Sequence, residues 1–145
     1  MNTLNSDDLA VFVYRVPSNQ GGYNLQMKIC NMDGSNEKIV LEEKMDSNEG
    51  LDTIIPDVII GEYVFFNYYY GEVRNSGYKV LREKYTENFV YNASSGKIVT
   101  DPLSKEGWEV YGAISDAVYM RRKATNGEYE YKRISYKEIA NVFGV

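Results

Sequence analysis

Three β-rich runs recur along the chain at nearly equal intervals: Val11-Phe12-Val13-Tyr14, Val64-Phe65-Phe66-Asn67 and Val118-Tyr119-Met120-Arg121, 53 and then 54 residues apart. A fixed period of this length is the mark of stacked supersecondary units, and it restricts the fold more than any composition could. After each run comes a turn and then a second strand opening on tyrosine: Gly21-Gly22-Tyr23, Ser76-Gly77-Tyr78 and Asn126-Gly127-Glu128-Tyr129. Gly-Gly and Asn-Gly supply the positive φ angles that tight hairpins demand, so hairpins are expected at Asn126-Gly127, at Asp33-Gly34 and across the Gly71 to Gly77 connection. The three valines should then be equivalent.

Around these anchors further strands can be read. Tyr23, Leu25, Met27 and Ile29 alternate with Asn24, Gln26, Lys28 and Cys30, the period of two of a half-buried strand, so the first four should face a core. Third strands follow as Lys38-Ile39-Val40-Leu41 and Lys97-Ile98-Val99, each after a turn rich in Asn, Asp, Ser or Gly. Val58-Ile59-Ile60-Gly61 and Gly112-Ala113-Ile114-Ser115 read as inner strands before the second and third anchors, while nothing before Leu9 matches them. The third unit ends differently. Ser135 and Glu138 have capping-box spacing, and Ile139, Val142 and Phe143 recur at helical intervals before Gly144, so a short C-terminal helix is expected to dock on the sheet and blunt an edge strand.

Residues 23 to 39, an apolar strand followed by Asn31-Met32-Asp33-Gly34-Ser35 and a polar-apolar strand, resemble the outer hairpin of TolB-type β-propeller blades. Val90-Tyr91-Asn92-Ala93-Ser94-Ser95-Gly96-Lys97-Ile98 resembles it more loosely, and the third unit departs from it. The expected fold is therefore all-β: three antiparallel propeller-blade-like repeats of about 54 residues with a short C-terminal helix, in one domain over 1–145. The units run approximately over 6–45, 57–103 and 108–145. Because propellers close with about four to eight blades, three units imply part of a longer propeller, half of a dimeric ring or a capped three-sheet array. The resemblance also implies an extracytoplasmic protein, secreted or at the cell surface, whose leader would be missing from this chain.

Composition narrows the chemistry. With 14 Tyr the chain favours pleated surfaces, and a net charge of −5 does not suit a polyphosphate partner, so nucleic acid is not expected. The longest apolar runs fall far short of the roughly 20 residues that span a bilayer, so no membrane insertion is expected. There is no His, so the single Cys30, which alternates out of its strand's apolar register, has no Cys–His partnership and reads as an incidental thiol. No phosphate loop or nucleophile elbow is present. Glu42-Glu43 and Asp7-Asp8 lie in polar segments and read as solvated surface charge. Asn31, Asp33, Ser35 and Glu37 place oxygens at alternate positions, but the glycine and bidentate carboxylate of a calcium loop are missing.

No catalytic residue, metal or cofactor is expected. What remains is aromatic: Tyr68-Tyr69-Tyr70 at a strand end and Trp108 before the third anchor, residue types that bind glycans or peptides through large flat area. The expected function is a non-catalytic binding or protein-interaction module whose partner is a protein, a glycan or a second copy paired through a sheet edge. The alternative is a structural fragment of a larger, enzymatic propeller.

Overall fold

A computed structural model describes residues 2–45 and 52–145. The first sheet is a four-stranded antiparallel meander of β1 (Asn2–Asn5), β2 (Leu9–Pro17), β3 (Tyr23–Asn31) and β4 (Lys38–Met45). In the second, β5 (Thr53–Ile60) and β6 (Tyr63–Tyr70) come first. A separate two-stranded hairpin of β7 (Val73–Arg74) and β8 (Val80–Arg82) interrupts the chain before β9 (Tyr85–Asn92) and β10 (Ile98–Thr100) return to the sheet. The third sheet holds β11 (Glu109–Ile114), β12 (Ala117–Lys123) and β13 (Tyr129–Ser135), and the chain ends in α1 (Tyr136–Phe143). Among the described residues no sheet closes on itself. The fold is thus mostly β, with repeated antiparallel sheets and one short α-helix.

The expected turns fall where their chemistry puts them. Gly127 takes φ +87° between β12 and β13, and Ala124 N–H reaches Glu128 O at 2.7 Å across that hairpin. At the end of β13, Ser135 and Glu138 make the reciprocal capping box, and Gly144 closes α1 in the left-handed region.

Val11, Val64 and Val118 all lie near the start of the second strand of their sheets, and all are fully buried. Two expectations fail. Tyr78 does not begin the third strand of the second sheet. It sits at φ +62° in the turn between β7 and β8, and the strand that hydrogen-bonds to β6 is β9. A hairpin with its own strands stands where the repeat leads one to look for a tight turn. Tyr23, assigned to the core face with Leu25, Met27 and Ile29, is 44% exposed, because it opens β3 opposite Pro17 and Met45 at the extremity of the sheet. A further strand was hidden: β1, four residues of Asn, Thr and Leu, carries no apolar periodicity, and its pairing to β2 is what makes it a strand.

The chain divides into two compact units, Met1–Pro56 with Asn67–Glu87, and Asp57–Phe66 with Asn88–Val145. In the first, Val11, Val13, Leu25, Met27 and Ile29 bury one face of the first sheet, as the alternation requires. In the second, Ile60, Tyr63, Phe65, Val90, Trp108, Val118, Met120 and Ile134 form a core into which α1 inserts Ile139 and Phe143. Phe65 and Phe143 meet edge to face at 5.1 Å. The helix fills this core, while Tyr129, Glu130, Tyr131 and Arg133 of β13 remain exposed. Among the described residues no strand pairs with the outer edge of β13.

Candidate functional site

Period-two alternation splits the tyrosine run. Tyr68 and Tyr70 share a face, with ring centroids 4.2 Å apart, and Tyr85 on β9 continues the ladder at 4.4 Å from Tyr70, while Tyr69 alternates away. Tyr68 is buried, and Tyr69 and Tyr70 are half-buried. Burial pushes the Tyr70 phenol up to about 12, helped by the negative charge of Glu87, and raises Tyr68 likewise, so both stay neutral at physiological pH.

The ladder ends on a polar knot. Arg82 Nη2 donates to Asp52 Oδ1 at 2.8 Å and to Gly71 O at 2.7 Å, its guanidinium carbon lies 5.6 Å from the Tyr70 ring centroid, and Gly71 N–H also donates to Asp52 Oδ1 at 2.8 Å. Asp52 is buried with every bond on that oxygen charge-assisted, so loss of Arg82 leaves a carboxylate without its counter-ion. The knot fixes both ends of the β7–β8 hairpin, since Gly71 precedes β7 and Arg82 ends β8. At the hairpin's turn, Asn75 Oδ1 accepts from Gly77 N–H and Lys79 N–H, both at 2.9 Å, and Arg74 Nη1 donates to Tyr78 O at 2.9 Å. Two apolar side chains of this arm face water: Tyr78 is 80% exposed and Leu81 62%. No sequence signal separated this arm from the sheet except the length of the Gly71 to Lys84 interval.

Trp108 lies in the other unit and is a core residue. Arg122 and Lys132 cover its ring, each 4.6 Å from the centroid. An aromatic group absent from the expected set stands on the opposite face of the third sheet. There Arg121 lies 4.9 Å from the Tyr111 centroid and 4.6 Å from that of Tyr129, with its Nε on Glu109 Oε1 at 2.7 Å, and Tyr131 meets Tyr111 edge-on at 5.7 Å. All three tyrosines are exposed. The Tyr129-Glu130-Tyr131 alternation held the signal, masked by the strand's polarity.

Cys30 lies opposite Ala10 on the sheet face away from the core, as its register requires, yet it is buried. It floors a groove of about 200 Å³ with Phe12, Tyr14, Lys28, Ile29 and Glu37, where Lys28 Nζ meets Glu37 Oε1 at 2.8 Å. In the Asn31 to Ser35 turn, Asp33 Oδ1 accepts from both the N–H and the hydroxyl of Ser35, bonds that hold its carboxyl below the ordinary value. That oxygen pins a turn. Among the described residues no group of three or more Cys, Asp or Glu side chains is placed to hold a metal ion, and no helix is long and apolar enough to cross a membrane. No family model matches this chain, and neither does any curated protein or solved structure.

Proposed function

We propose that the chain is a non-catalytic interaction module in which blade-like repeats of about 54 residues form the scaffold and the β7–β8 hairpin engages a partner protein. The matching positions of Val11, Val64 and Val118 support the repeat reading, and the hairpin is where the second repeat departs from the first and third. The observation that carries the reading is the presentation of Tyr78 and Leu81 to solvent on an arm whose base is locked by Asp52 and Arg82. A bulky residue at positive φ costs on the order of 1–3 kcal/mol, and exposed Tyr and Leu side chains return none of it to the fold. A partner that covers them does, and the fixed base limits the ordering entropy lost on binding. Aliphatic Val80 and Leu81 beside the tyrosine suit an apolar protein pocket better than a sugar ring.

A photo-crosslinking aromatic amino acid at Tyr78, introduced in the cell of origin, tests this, with exposed Ser95 as the control position. A discrete adduct is expected from position 78 and not from 95, and it should fade when Arg82→Ala releases the hairpin base. No adduct at 78, or the same adducts at both positions, removes the reading.

A further inference from the structure

An open sheet edge invites another strand, and proteins protect such edges by shortness, bulges, proline or charge. Each terminal strand of the three sheets but one carries a backbone device of this kind. β1 has four residues and β10 three, β5 contains Pro56, and the pairings of β4 and β11 are broken by bulges at Met27/Lys28 and Val110/Gly112. β13 is the exception. It runs in unbroken register with β12 over seven residue pairs, from Lys123↔Tyr129 to Ala117↔Ser135, has no proline, and among the described residues bonds to no strand on its other side. In the first two sheets a fourth strand covers the equivalent third one, as β4 does β3 and β10 does β9. In the third sheet the chain turns into α1 instead.

The side chains along this edge are self-complementary. In an antiparallel pair related by a two-fold axis normal to the sheet, facing residues must share a face, so the axis passes through a residue and not between two. An axis at Lys132 would set lysine against lysine. An axis at Tyr131 sets Tyr131 against Tyr131, Glu130 against Lys132 and Tyr129 against Arg133, with the last two pairs occurring twice. These are an aromatic pair, two opposite-charge pairs and two cation–aromatic pairs, each of a kind that stabilises neighbouring strands. From the bare edge and this register we infer that the chain forms a two-fold dimer in which β13 of one copy pairs antiparallel with β13 of a second, centred on Tyr131. The two third sheets become one six-stranded sheet, and the exposed Tyr111, Arg121 and Tyr129 clusters of both copies lie along one face of it.

The register sets a charge-exchange test. Glu130→Lys sets lysine against lysine on both sides of the axis, and Lys132→Glu sets glutamate against glutamate, so each variant alone should dimerise on the order of tenfold or more weakly than the native chain. Mixed together, the two variants regain opposite charges at both places, because the paired lysines of one face the paired glutamates of the other. Sedimentation equilibrium should give twice the monomer mass for the native chain, monomer for each variant, and a recovered dimer for the equimolar mixture. Thermal melts of the variants show that each is folded. A native chain that stays monomeric at millimolar concentration overturns the inference, as do single variants that dimerise undiminished or a mixture that does not recover.

Discussion

Gly61 shows how one residue ties α1 to the second sheet. It turns the chain from β5 to β6 at φ +55°, and a Cβ built there would stand 2.7 Å from Cε2 of Tyr136, the first residue of the helix. Tyr136 also tilts against the Tyr63 ring at 5.7 Å and donates its hydroxyl to Glu62 Oε2 at 2.6 Å. Gly61→Ala therefore meets both strain and a ring that other contacts hold in place, and a loss of about 1–3 kcal/mol is expected. Tyr136→Phe removes only the hydroxyl's bond and should lose about 0.5–1.5 kcal/mol. Combined, the two substitutions should lose less than their sum, because without the hydroxyl's bond to Glu62 the ring can give way to the alanine. Urea unfolding of the three variants measures this, and a Gly61→Ala chain as stable as the native one would show that the ring moves aside freely. In the sequence, Gly61 reads as the small last residue of an inner strand, whereas the structure makes it the turn between β5 and β6. Its second role, making room for a residue 75 positions later, depends on tertiary packing that no local pattern encodes.

Elements were readable where side-chain period and turn chemistry agree, as in β2, β3, α1 and the Asn126-Gly127 hairpin, and unreadable where pairing alone makes a strand, as in β1. The link between β10 and β11 belongs to a third kind, in which a buried charge shapes the connection. Asp101 follows β10 and is 2% exposed; its Oδ1 accepts Leu103 N–H at 2.8 Å and its carbonyl accepts the Ser104 hydroxyl at 2.7 Å, which sets up the 3₁₀ turn at Ser104–Glu106. Burial raises its carboxyl pKa above the ordinary 3.8, against the opposing pull of the hydrogen bonds from Leu103 and Ser104. The folded chain thus holds this proton more tightly than the unfolded one. Its contribution to stability is greatest below the unfolded pKa and is lost as pH rises through the raised folded value. Asp101→Asn keeps the Oδ1 acceptor and removes the titration. Relative to the native chain the variant should gain stability between about pH 3 and pH 7, read as urea midpoints at the two values. The reverse trend, with the native chain gaining on the variant as pH rises, would mean that the carboxylate is better satisfied folded than in water.

For the molecule as a whole, the division into units cuts across the repeats. Equal spacing of Val11, Val64 and Val118 leads one to expect three repeat units within one domain, and β5, β6 and β9 each start in one compact unit and end in the other. A repeat period records where similar strands recur, and it carries no information on where the chain's compact units divide. Because the boundary runs through three strands of one hydrogen-bonded sheet, neither unit can lose those strands without fraying the ladder that continues into the other. The two are therefore expected to unfold in one transition. Trp108 is the chain's only tryptophan and belongs to the second unit, so its fluorescence reports on that unit alone. Met27 is fully buried in the first unit, and Met27→Ala should cost about 2–5 kcal/mol there. If the shared strands couple the units, this substitution lowers the urea midpoint seen by Trp108 fluorescence as far as that seen by far-ultraviolet circular dichroism. A fluorescence midpoint that stays at the native value while the dichroism midpoint falls would show that the units melt separately and that the sheet breaks at the boundary.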